Sequence, residues 1–110
     1  MGMYQGTTPT IPLRFEGINL AEAKVYVSLY DEKKKQLHVY ESGQDFVVSQ
    51  SGADSITSLA LTQEETLNLG VGLCTIQGRW IFPDGSAGAT KKVSIQIQSV
   101  LQKDVISYDA

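Results

Sequence analysis

The sequence is poor in the residues that carry out chemistry. It holds one cysteine and one histidine, Cys74 and His38. A single thiol forms no intramolecular disulfide, which excludes the disulfide-framed secreted domains. One imidazole and one thiol fall short of the three or four convergent ligands that zinc needs, so no metal site is expected. No apolar run approaches the ~18 residues that cross a bilayer, and no basic segment leads into an apolar stretch at the N-terminus. Neither a membrane partner nor a signal peptide is expected. A net charge of −3 gives no global attraction to a phosphate backbone, so nucleic acid is not an expected partner either. The only basic run, Lys33 to Lys35, directly follows Asp31 and Glu32 and reads as a solvated hairpin tip. The Met1-Gly2 start suggests N-myristoylation, but Gly6 stands where that motif requires Ser or Thr.

What remains is the composition of a globular chain. With 110 residues, 42% hydrophobic and 19% charged, it suits one domain and lies far from disordered or collagen-like sequences. A single domain over 1–110 is expected, with an N-terminal arm at 1–8 and a C-terminal tail at 99–110. It should fold without a cofactor. Short alternating segments recur between turn residues. Thr10 to Phe15 places Ile11, Leu13 and Phe15 on one face, and Pro9 and Pro12 mark it as an edge strand. Ala23 to Tyr30 sets Ala23, Val25, Val27 and Leu29 against Lys24, Tyr26, Ser28 and Tyr30. Gln36 to Glu41 alternates Leu37 and Val39 with His38 and Tyr40. Further strands are expected at Phe46 to Ser49 and Ser55 to Leu61. Thr62 with Glu65 three residues on is a capping-box spacing and predicts one helical turn, broken at Gly70 and Gly72. The last hairpin is Leu73 to Phe82 with Ala87 to Gln98.

Registers follow from burying like with like. A five-residue loop after Tyr30 would pair Leu29 with Leu37, Val27 with Val39 and Tyr26 with Tyr40, leaving His38 outside across from Ser28. Around Pro83 to Ser86, a four-residue loop would pair Trp80 with Ala89, Ile76 with Val93 and Cys74 with Ile95. The three-residue Pro-Asp-Gly loop, commoner locally, sets Trp80 against Gly88 and turns the apolar set outward, so burial is expected to win over turn preference, or a bulge further along the ladder must compensate. About seven strands with close turn signals and no intervening helices predict an all-β, immunoglobulin-like antiparallel β-sandwich, with a small barrel as the alternative.

Candidate chemistry is sparse. A Ser28–His38 dyad would lack an acidic third member, and Glu64 and Glu65 belong to the helix cap. Asp31 and Asp84 sit at turn tips, where aspartate bonds its own backbone. The "GVG" at 70–72 lacks the spacing and following helix of a phosphate loop. No catalytic, cofactor-binding or metal residues are expected. The one candidate interaction face is Tyr26, Tyr30, His38 and Tyr40, since tyrosine supplies contact area and a polar tip at interfaces. The tail "SVLQKDVISYDA" could extend the last strand, pack over the sandwich, or add to a neighbour's sheet edge.

The succession "GTTPTIPLRFEGINLAEAKVYVSLYD", "ESGQDFVVS", "LALTQEETLNL" and "IQGRWIFPDGSAGATKKVSIQI" resembles small prophage-encoded proteins that lie among tail and baseplate genes. Its layout is similar to the amino-terminal sandwich domain of phage baseplate upper proteins, over residues 4 to about 106. The long helical and receptor-binding parts of those proteins are missing from this sequence. The resemblance implies a non-enzymatic structural or adaptor protein of the virion tail or baseplate, made in the bacterial cytoplasm. Its partners would be other phage structural proteins, with a homo-oligomer as a further expectation. Two other classes of function stand beside it: a carbohydrate or host-surface binder using Tyr26, Tyr30 and Tyr40, and, last, a hydrolase dependent on His38.

Overall fold

The computed structural model describes residues 2–108. Nearly every segment read as a strand is one, and the fold is all-β. The elements are β1 (Gly2–Tyr4), β2 (Thr10–Phe15), β3 (Lys24–Asp31), β4 (Gln36–Glu41), β5 (Ser49–Ser51), β6 (Asp54–Ala60), α1 (Gln63–Leu67), β7 (Gly72–Ile81), β8 (Ala87–Ala89) and β9 (Val93–Gln98). They form a six-stranded sheet in the order β1-β9-β7-β3-β4, with β8 also on β7, and a three-stranded sheet β2-β6-β5. Two expectations are corrected here. The arm at 1–8 contributes β1, which pairs in parallel with β9 through Met3 and Ile97, so the larger sheet is mixed rather than antiparallel throughout. The strand expected at Phe46 to Ser49 begins at Ser49, and Phe46 instead makes an isolated bridge to Ser42.

The core lies between the facing sides of the two sheets. Ile11, Phe15 and Leu59 come from the smaller sheet, and Val25, Val27, Leu29, Cys74, Ile76, Ile95 and Ile97 from the larger. Period-two alternation accounts for these choices, since each strand buries one set and solvates the other. At about 25 cal/mol per Å² of apolar surface removed from water, each such side chain contributes roughly 1.5–3 kcal/mol. Ser55 and Thr57 are buried among them because loops use their hydroxyls. Ser55 accepts from the Leu20 N–H at 2.9 Å and donates to the Ile18 carbonyl at 2.8 Å, while Thr57 donates to the Val47 carbonyl at 2.7 Å. The capping box at α1 is present in both directions: the Glu65 N–H donates to Thr62 Oγ1 at 3.1 Å and the Thr62 N–H to Glu65 Oε1 at 2.9 Å.

The last hairpin resolves its conflict between turn and burial by using both. The Phe82 N–H donates to the Ser86 carbonyl at 2.8 Å and Gly85 has φ +90°, a conformation that favours glycine, so the tight three-residue loop is made. Trp80 therefore faces Gly88, and the expected pair of Trp80 with Ala89 does not form, because Arg79 pairs with Ala89 instead. Beyond it the ladder regains the apolar register, with Ile76 on Val93 and Cys74 on Ile95. The residue absorbed lies between β8 and β9, where Thr90 Oγ1 accepts from the Gly78 N–H at 2.9 Å. This is the compensating bulge. Trp80 is half-buried, packs edge-on to Phe15 of the opposite sheet with centroids 5.7 Å apart, and lies close against Gly88. A Cβ at Gly88 would lie far inside van der Waals contact with Trp80 Cζ2. Gly88→Ala is therefore expected to destabilise the fold by about 1–3 kcal/mol through overpacking. Denaturant unfolding of the variant, followed by Trp80 fluorescence, checks this.

Candidate functional site

The β3–β4 hairpin departs furthest from expectation, and Asp31 is the reason. Asp31 is 1% exposed. Oδ1 accepts from the Lys33 and Lys34 N–H groups at 3.1 Å each, and Oδ2 accepts from the Gly70 N–H at 2.8 Å. A Cβ at Gly70 would lie 2.5 Å from Lys33 Cβ, so only glycine brings that backbone close enough. Held this way, Asp31 belongs to β3 and pairs with Gln36. The loop is Glu32 to Lys35, one residue shorter than expected, and Lys35 closes it in the left-handed region at φ +54°.

A slip of one residue exchanges the faces of β4. The pairs are Tyr30 with Leu37, Leu29 with His38, Ser28 with Val39, Val27 with Tyr40 and Tyr26 with Glu41. The expected pairs of Tyr26 with Tyr40 and Leu29 with Leu37 do not form, and the face of Tyr26, Tyr30, His38 and Tyr40 is divided. Tyr26 and Tyr30 lie on the outer side, and His38 and Tyr40 on the inner side. The tyrosine platform is thus replaced by a different surface. Leu37, 60% exposed, and Val39, 54% exposed, stand outside beside Tyr26 and Tyr30. With Ser28, Arg79, Trp80, Ile81 and Ala87, Tyr26, Leu37 and Val39 line a shallow cavity of about 480 Å³.

On the inner side, His38 and Tyr40 meet α1. Together with Leu29, Leu61, Glu65, Asn68 and Leu69 they line a cavity of about 150 Å³. The histidine expected in solvent therefore lies near an acid, which corrects the outward placement. The Tyr40 hydroxyl donates to Glu65 Oε2 at 2.9 Å, and burial followed by that carboxylate raises the phenol well above its ordinary range. Tyr40 accordingly keeps its proton. His38 Nε2 is buried and has no hydrogen-bond partner among the described residues. No serine, cysteine or threonine lines this cavity, and a histidine base acts only within hydrogen-bond reach of the proton it takes. Ser28 points to the opposite side of the sheet. Cys74 is buried on β7, where burial first, and then the Asp31 and Glu32 charges, push the thiol up to about 11. It is a protonated core residue, as a small hydrophobe would be. Among the described residues no cluster of His, Cys, Asp or Glu is arranged to hold a metal ion, and no helix is long and apolar enough to cross a membrane.

The turn-tip reading of Asp84 holds, with its Oδ1 accepting from the Ser86 N–H at 2.8 Å and from the Ser86 hydroxyl at 2.6 Å. Those two bonds lower its pKa, the hydroxyl contributing most. Past β9 the tail makes no strand. It returns to α1, where the Gln63 amide donates to the Ile106 carbonyl at 3.0 Å and accepts from the Ile106 N–H at 2.9 Å. Leu101, Val105 and Ile106 remain exposed. Residues 109 and 110 of this segment lie outside the described residues.

The Tyr40–Glu65 bond carries a pH signature. The folded state holds the phenol proton more tightly than the unfolded chain, so this contribution is complete below about pH 10 and declines as pH rises through that range. Tyr40→Phe is expected to cost about 1–2 kcal/mol at neutral pH and to flatten part of the alkaline fall in stability. Melting temperatures of both proteins across alkaline pH test the sign. Compared with known proteins, the chain matches no protein-family model, and no curated protein matches it significantly.

Proposed function

We propose that this chain is a non-enzymatic structural or adaptor protein of a phage or prophage tail or baseplate. It would be built as an immunoglobulin-like β-sandwich and act through protein–protein contacts on the outer side of its six-stranded sheet. The observation that carries the reading is the exposure of Leu37 and Val39. Turning them inward would gain up to about 1.5–3 kcal/mol each from burial, yet the hairpin turns His38 and Tyr40 inward, where both are half-buried. Exposed apolar side chains beside Tyr26 and Ile81 suit a surface that a partner covers. A sequence that forgoes local burial at one strand often does so for function. The resemblance in the motifs around "LTQEETL" and "WIFPDGS" points to tail and baseplate assemblies as the setting.

The carbohydrate reading loses its platform, because Tyr40 faces away from Tyr26 and Tyr30. Assembly uses an apolar face without requiring three coplanar rings. In this reading the Tyr40–Glu65 pair fastens α1 to β4, and His38 fills space beside it.

Virion tails purified from an induced prophage that encodes the chain should contain it at a fixed ratio to the other tail proteins, measured by quantitative mass spectrometry. Tyr26→Ser combined with Ile81→Ser should lower that incorporation about tenfold, as for loss of interface anchors, with an unchanged melting temperature. Intact tails lacking the chain would refute the assignment.

A further inference from the structure

We propose that the free edge of β4 pairs with the same edge of a second copy, in one antiparallel register centred on His38. This deepens the assembly reading and rests on it, by naming a partner and a seam. The six-stranded and three-stranded sheets end in strands whose outer backbone groups are open to pairing, a hazard that proteins blunt with short strands, prolines, charges or bulges. β1 and β5 are three residues long. β2 carries Pro12. The β8–β9 edge is broken between Ala89 and Val93, where Lys91 and Lys92 lie. β4 has six residues and none of these devices at Leu37 or Val39.

The backbone of the hairpin fixes which groups are available. The Ser42 N–H donates to the Val25 carbonyl at 2.8 Å, so even-numbered residues of β4 direct their backbone groups at β3. Odd-numbered residues direct theirs outward. At Glu41 those outward groups are already used: its N–H donates to Asp45 Oδ2 at 2.8 Å and its carbonyl accepts from the Asp45 N–H at 2.9 Å. The open groups on this edge are then the N–H and C=O of Leu37 and of Val39. An antiparallel partner must place like faces opposite each other. Centring the two-fold axis on Val39 would require Glu41 to bond Leu37 of the partner, and Asp45 blocks it. Centring on His38 pairs Leu37 with Val39 of the second copy and Val39 with Leu37, and uses every open group on both strands.

Side chains agree with that register. Leu37 and Val39 of both copies form one apolar row on the outer side, each covering the other's exposed surface. Lys35, the last residue of the turn before β4, comes opposite Glu41, the last residue of β4 in the second copy, with Asp45 bonded beside it. The charges are therefore complementary at both ends of the seam. Opposed charges on facing strands favour the pairing and like charges oppose it.

Sedimentation analysis of the purified full chain should show a dimer. Val39→Pro removes an outward N–H while leaving the β3 bonds intact, as proline at an edge allows, and should give a folded monomer by circular dichroism. Lys35→Glu alone should weaken the dimer about tenfold by opposing like charges at both ends, and Lys35→Glu with Glu41→Lys should restore it. On the axis, the two His38 Cα atoms would stand about 4.5 Å apart, within disulfide reach. His38→Cys should therefore cross-link to itself on oxidation, with Cys74 buried out of reach. A monomeric wild-type chain overturns this seam, and so does a dimer unaffected by the charge exchange and uncrosslinked at position 38. Either result leaves incorporation into tails as the separate measure of the assembly reading, since other copies of the surface partner need not use this edge.

Discussion

Everything distinctive about this molecule follows from one carboxylate that is buried and fully used. Asp31 accepts three backbone N–H bonds, two from the turn it begins and one from Gly70 on the far side of α1. A buried carboxylate deprived of such donors is costly, so the surrounding backbone is committed to supplying them. That commitment shortens the β3–β4 loop by a residue and places Gly70 against Lys33. The register of β4 then has no freedom left.

The consequence is a hairpin whose faces run against the simplest hydrophobic reading. Leu37 and Val39 stand in solvent, and a histidine and a tyrosine stand inside. Tyr40 is partly compensated by Glu65, which serves the helix cap with one oxygen and the phenol with the other. Helix, turn and edge strand are thereby one unit. The unit leaves two aliphatic side chains and their outward backbone groups open together, on the side and the edge of the same strand. That coincidence connects the hairpin's construction to assembly.

Much of the fold was legible in the sequence because period-two alternation is a strong local signal. Thr10–Phe15 and Gln36–Glu41 have the expected bounds, and the cap at Thr62 and the pairs of Cys74 with Ile95 and Ile76 with Val93 form as read. The bulge before β9 was legible too, as one of two ways to reconcile Pro83-Asp84-Gly85 with burial. β1 was missed, since three residues carry no period and its pairing with β9 is a long-range parallel contact. The interaction face was half legible. Tyr26 and Tyr30 face outward as read, but alternation in β4 gives two faces without saying which is buried, and the choice rests on Asp31 and Gly70, thirty-nine residues apart. The signal available was Asp31 itself, two and three residues before the N–H groups it binds, a spacing typical of aspartate-capped turns.

The register of β3 and β4 is the claim on which the exposed face, the open edge and the inward histidine all depend. Nuclear Overhauser contacts between Hα atoms across the hairpin measure it directly, because non-hydrogen-bonded antiparallel pairs bring those atoms together. The account predicts contacts of Ser28 with Val39 and of Tyr30 with Leu37. Contacts of Val27 with Val39 and Leu29 with Leu37 would contradict it.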